Sequence, residues 1–103
     1  MATIPITPIS TAAINWIDRN GQPHVRVYST DGYDVTERAW DGGEQWIDGS
    51  FKASGQAVSA TCWIGPQGLS IRVFCTFEDV TTEWCIDQAG TGGSWYKGNY
   101  TTS

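Results

Sequence analysis

Short runs in which apolar and polar residues alternate recur along the chain: "AAINWI" (12–17), "HVRVYS" (24–29), "DVTERAW" (34–40) and "QWIDGSF" (45–51) fill the first half. A period of two puts successive side chains on opposite faces of an extended strand. No run with helical spacing competes. Between these runs stand "DRNGQP", "TDG" and "DGGE", whose Gly, Asn, Asp and Pro supply the dihedrals of tight turns. The pattern predicts four short strands joined as a meander.

The meander is then written a second time. "VRVYSTDGYDVTERAW", starting at Val25, is matched 46 positions later by "IRVFCTFEDVTTEWCI", starting at Ile71. Trp16 aligns with Trp63, Arg26 with Arg72, Val27 with Val73, Tyr28 with Phe74, Thr36 with Thr82, Glu37 with Glu83 and Asp41 with Asp87. Three extra residues in "QAGTGG" move the later pairs to an offset of 49: Trp46 with Trp95, Gly49 with Gly98, Phe51 with Tyr100.

A four-stranded unit of this period has the size of a propeller blade. The expected organisation is all-β, with an N-terminal extension at 1–12, a first blade at 13–51, a linker at 52–58 and a second blade at 59–103. Two blades cannot cover both of their outer faces, so the chain is expected to associate with itself. A dimer, trimer or tetramer would close four, six or eight blades.

Six Trp, four Tyr and three Phe against one Met, with 12 Gly, agree with an all-β chain of 103 residues. A net charge of −5 with only six Lys plus Arg offers no electrostatic footprint for nucleic acid or for anionic membranes. "MATIPITPIS" lacks the charged and apolar regions of a secretory leader, and no segment is long enough for membrane insertion as a helix. Cys62, Cys75 and Cys85 are odd in number and lack metal-ligand spacing, which leaves buried thiols or one bridge plus a free thiol. His24 reads as a strand surface residue, and "DGYD" is far short of a calcium loop, so neither metal nor cofactor is expected. "NYT" at Asn99 forms a glycosylation sequon.

In each copy an Arg and a Glu stand eleven residues apart. A two-residue type I′ turn at Asp31-Gly32 would set Tyr28 opposite Val35 and Arg26 opposite Glu37, with Val25 and Val27 on the other face. The second turn, "TFEDV", lacks Gly but keeps the spacing. Such a pair can be a surface ion pair contributing roughly 0–1 kcal/mol. It can also present donors and acceptors together to a polyhydroxylated ligand, with Trp40, Trp46 or Trp95 covering the C–H side of a sugar ring. Trp16 and Trp63, on the innermost runs, are expected in the core. A glycosidase needs two carboxyls around one bond in contrasting environments, whereas these Glu have duplicate surroundings, so no enzyme is expected.

The strings Arg-Val-Tyr, Thr-Glu, Trp-Asp-Gly and Trp-x-x-Gly-x-Phe, with their second copies, resemble the small two-blade fucose-binding lectins. That is the family of the Ralstonia solanacearum lectin, related to the Aleuria aurantia lectin, and the likeness runs from Ala13 to Tyr100. It implies a non-catalytic, multivalent lectin, a homotrimer closing as a six-bladed β-propeller, and L-fucose and fucosylated oligosaccharides as partners.

It also implies a within-chain site made of Arg26 and Glu37 with Leu69, Ile71, Ile86 and Trp95, plus a backbone N–H near Gly49 and Ser50. A between-chain site would join Arg72, Glu83 and a backbone N–H near Gly98 and Asn99 to Pro23, Val25, Trp40 and Trp46 of the neighbouring chain. Ile86 stands where the family pattern has a Trp, so the within-chain site is expected to be the weaker, and the insertion lengthens its rim. Cys75 has no functional reading from sequence. The alternatives are a scaffold or protein-binding propeller, or a lectin for galactose or mannose.

Overall fold

The computed structural model describes residues 9–89 and 91–102, so most of the expected 1–12 extension lies outside the described residues. Eight strands follow one another: β1 (Ser10–Ile17), β2 (Pro23–Thr30), β3 (Asp34–Trp40), β4 (Ile47–Ser54), β5 (Ala57–Gly65), β6 (Gly68–Phe77), β7 (Val80–Asp87) and β8 (Tyr96–Thr101). They form two four-stranded antiparallel sheets in the orders β1-β2-β3-β4 and β5-β6-β7-β8. Among the described residues there is no helix.

The first sheet starts before residue 13, because Ser10, Thr11 and Ala12 pair with Thr30, Ser29 and Tyr28. The linker expected at 52–58 is shorter. Lys52, Ala53 and Ser54 find backbone partners on β3, and Ala57 and Val58 find theirs on β6, which leaves Gly55 and Gln56 to connect the sheets. A Cβ on Gly55 would lie 2.8 Å from Val35 Cγ2, so the crossing admits no side chain there.

Alternation along β6 buries Leu69, Ile71, Val73 and Cys75, while Ser70, Arg72, Phe74 and Thr76 take the opposite face. The buried row meets Ile14, Tyr28, Val35 and Phe51 of the first sheet, and these residues form one core between the two sheets. Phe51 sits at its aromatic centre, edge-on to Tyr28 at 5.7 Å, Trp84 at 6.5 Å and Trp95 at 4.6 Å. Cys75 is a small apolar member of this core, and burial pushes its thiol up to about 11. All three cysteines are free thiols, which removes the single-bridge reading.

The β2–β3 register differs from the expected one by two residues. Arg26 lies opposite Ala39, and Glu37 lies opposite Tyr28. The second sheet takes the same register, with Arg72 opposite Cys85 and Glu83 opposite Phe74, although Phe77 stands there in place of Asp31. In the first sheet the turn is centred on Gly32, at φ 103°, and Tyr33, and the Asp31 carboxylate accepts the N–H groups of Tyr33 at 2.9 Å and Asp34 at 3.0 Å. A slip of two residues keeps every side chain on its face, so Arg26 and Glu37 still share one side. The two-residue turn with both φ positive occurs instead in the second sheet, at Glu78 (φ 50°) and Asp79 (φ 69°), closed by the pair Phe77–Val80.

Two changes should move stability in opposite directions in urea unfolding. Phe51→Ala, which empties the aromatic centre, is expected to cost about 3–5 kcal/mol. Asp79→Gly, which relieves a left-handed non-Gly position, is expected to gain about 1 kcal/mol.

Candidate functional site

Arg26 leaves β2 on the face turned toward the second sheet. Its Nη1 donates to Val25 O at 3.0 Å and to Asp41 Oδ1 at 2.9 Å. The guanidinium carbon lies 4.9 Å from the Trp16 ring centroid. Arg72 repeats this arrangement: Nη1 donates to Ile71 O at 3.0 Å and to Asp87 Oδ1 at 3.0 Å, and the carbon lies 4.8 Å from the Trp63 ring. The closest carboxylate of each arginine is therefore an Asp. The sequence had paired Asp41 with Asp87, but only the observed registers of β2 with β3 and β6 with β7 show that they reach the arginines.

The glutamates are held by other groups. Glu37 is 6% exposed; its Oε2 accepts the Tyr28 hydroxyl at 2.6 Å and its Oε1 the Phe51 N–H at 3.4 Å. Burial first, then the charge of Glu37, pushes the Tyr28 phenol far above its ordinary range, so it remains a donor. In the second sheet Glu83 Oε1 accepts the Tyr100 N–H at 3.2 Å. Phe74 has no hydroxyl to offer, and Arg72 Nε stands 3.6 Å from Glu83 Oε2 instead.

Each glutamate passes over a glycine. A Cβ on Gly49 would sit 2.0 Å from Glu37 Oε1, and one on Gly98 would sit 2.1 Å from Glu83 Oε1. Only glycine leaves room for the carboxylate at these two positions.

Between the sheets opens a cleft of about 610 Å³. Arg26, Glu37, Gly49 and Ser50 line it from the first sheet, and Leu69, Ile71, Ile86 and Trp95 line it from the second. All eight residues expected in the within-chain site thus meet in one place. Trp95 Nε1 donates to Ser50 Oγ at 3.3 Å across the gap, and the insertion contributes Ala89 and Thr91 to the rim. One wall carries charge and hydrogen-bonding groups; the facing wall is aliphatic and aromatic. A ligand with hydroxyls on one edge and C–H groups on the other matches both.

Sequence reasoning missed part of this cleft. Trp16 packs against the edge of the core and, half-buried, also lines the cleft, stacked on His24 with ring centroids 5.2 Å apart. Trp63 is 46% exposed. His24, expected on an open surface, lies between Asp18 and Asp41 at 2.9 and 2.7 Å.

The remaining expected residues are not brought together within one chain. Arg72, Glu83 and Gly98 belong to the face of the second sheet turned away from the first, and Asn99 is exposed on β8. Val25 and Trp40 pair with each other on the outward face of the first sheet, with Pro23 exposed at the start of β2 and Trp46 42% exposed just before β4. The two sets stand on the outward faces of the two sheets.

Against this geometry, the family model described as fungal fucose-specific lectin matches residues 2–103. The chain belongs to this lectin family. No curated protein sequence matches it. In this lectin the polar wall depends on the pinned carboxylate of Glu37. Tyr28→Phe, which leaves Oε2 buried without its donor, should lower stability by about 1–3 kcal/mol in urea or thermal unfolding.

Proposed function

We propose that the chain binds L-fucose and fucosylated glycans, without chemistry, in two kinds of pocket. The observation that carries this reading is the duplicated constellation: an Asp-anchored Arg above a Trp, beside a Glu seated over a Gly, facing in the first copy an apolar wall. Arg26 donates to sugar hydroxyls and the ring oxygen, and Glu37 accepts from hydroxyls. Leu69, Ile71 and Ile86 take the methyl group that distinguishes a 6-deoxy sugar, and Trp95 covers the ring. Galactose and mannose lack that methyl, so the aliphatic wall favours fucose over them.

The second pocket forms when the Arg72 and Glu83 face of one chain meets the Pro23, Val25, Trp40 and Trp46 face of the next. Support comes from strand positions. Val25 and Trp40 occupy on the first sheet the places that Ile71 and Ile86 occupy on the second. Phe74 and Tyr100, edge-on at 5.6 Å, repeat the Tyr28–Phe51 pair. The contact between chains therefore copies the contact within the chain. Such head-to-tail contacts can close into a ring, and the family resemblance supports a ring of three chains and six blades. Trp40 in place of Ile86 gives the between-chain pocket a second aromatic surface and the tighter grip.

Catalysis has no support in this arrangement. Glu37 lines the cleft while Glu83 lies on the far face of the second sheet, so the two do not flank a common bond. Several sites on one ring raise avidity by roughly 10²–10⁴ on a surface dense in fucose.

Calorimetric titration with L-fucose should give two sugars per chain on a species with the mass of a trimer. Arg26→Ala and Arg72→Ala should each leave one site, since each lost hydrogen bond to a charged group removes about 1.5–3 kcal/mol. Heat with galactose and none with fucose, or two undiminished sites in either variant, contradicts the reading.

A further inference from the structure

His24 is the only histidine in the chain. Its Nδ1 is 2.7 Å from Asp41 Oδ1, the same oxygen that accepts Arg26 Nη1 at 2.9 Å. Its Nε2 is 2.9 Å from Asp18 Oδ2. Asp18 is fixed in turn by the N–H groups of Asn20 at 2.9 Å and Gln22 at 3.0 Å. A short chain of contacts thus ends on the guanidinium that faces the cleft.

The second copy is built without an imidazole. Ser70 stands in place of His24 and donates to Asp87 Oδ1 at 2.8 Å, while the Tyr96 hydroxyl donates to Asp87 Oδ2. The turn joining β5 to β6, "GPQG", has no acid to match Asp18. Hydrogen bonds from Tyr96, Ser70 and Arg72 hold the Asp87 carboxyl down at about 2. The two arginines are therefore anchored alike, but only one anchor contains a group that titrates near neutral pH.

We propose that His24 is a positioning residue for Arg26: protonated, it clamps Asp41 and so Arg26, which makes the within-chain pocket a tighter fucose site below neutral pH than above it, while the between-chain pocket is indifferent. This rests on the fucose-binding reading given above.

The charged groups around the imidazole are few. Asp18 faces it from the β1–β2 turn, Asp41 from the end of β3, and Arg26 lies beyond Asp41 on its own strand. Glu37 is the other charged residue lining the cleft; Leu69, Ile71 and Ile86, on the opposite wall, do not titrate.

The imidazolium donates from both nitrogens and satisfies both carboxylates. Neutral imidazole donates from one and turns a lone pair toward the other carboxylate. Hydrogen bonds to Asp18, and then to Asp41, raise the His24 pKa above its ordinary 6.5. A raised pKa means that the clamp is complete below about 6.5 and is lost as pH climbs through the higher folded value. Asp18 and Asp41 are both held below their ordinary value, so they stay ionised throughout that window.

The test isolates each pocket. In the Glu83→Gln protein, L-fucose affinity should weaken about fivefold between about pH 5.5 and about pH 9, a change the size of one ordinary hydrogen bond. In Glu37→Gln, where the between-chain pocket remains, affinity should stay level. His24→Ser, added to Glu83→Gln, copies the Ser70 arrangement and should abolish the pH dependence while keeping binding. Level affinity in Glu83→Gln itself overturns the proposal.

A second arm needs no sugar. By NMR of the free wild-type protein, the Arg26 Nε–H resonance should move with the single imidazole titration and the Arg72 resonance should not. An Arg26 signal that stays still through that titration overturns the proposal even if fucose binds. Absence of fucose binding at every pH overturns the fucose reading, and the resonance arm then decides the role of His24.

Discussion

Each sheet buries one face against the other and presents a second face that nothing among the described residues covers. This follows from strand geometry: a period of two gives every strand two sides, and two sheets have four sides of which one contact covers two. The buried contact joins unlike faces, since the Arg26 and Glu37 side of the first sheet meets the aliphatic side of the second. The repeat therefore leaves at the ends the complements of what it joined in the middle. Self-association in the proposed ring needs no additional interface chemistry, only the same contact made again.

Both copies hold their polar groups in place by the same means. Arg26 and Arg72 each spend Nη1 on a backbone carbonyl and an aspartate, and lie over a tryptophan. Their remaining donors are fixed in direction by the planar guanidinium. Glu37 and Glu83 are held by a backbone N–H over a glycine that admits no Cβ. A ligand that meets groups already ordered loses less on binding than one that must order them.

Most of the architecture was legible in the sequence because the strand signal was written twice. Matching Arg26 with Arg72 and Glu37 with Glu83 gave the repeat, and period-two alternation gave the faces. The register was not legible. Asp31-Gly32 is a strong local turn signal, but the turn is centred one residue further on, and the second sheet takes the same register with Phe77 and Glu78 at those two places, so no dipeptide rule carries it. The same limit hid the partners of the arginines. Asp41 and Asp87 stand fifteen positions beyond Arg26 and Arg72, and only the observed register brings them within 3.0 Å. His24 was misread because its two acids come from different turns, and Trp63 because strand order predicts core when its ring is exposed beside Arg72; Trp16 packs on the core as expected but also lies beside Arg26.

The central claim is that a sugar pocket needs two sheets, one with Arg and Glu and one with the apolar wall, whether or not they belong to the same chain. A crystal structure grown with L-fucose tests it most directly. The expected result is one sugar between Arg26 and Trp95 in every chain and another between Arg72 of one chain and Trp40 of its neighbour, in a closed ring of three. Fucose seated away from both arginines, or on a single sheet of an unassociated chain, would contradict the claim.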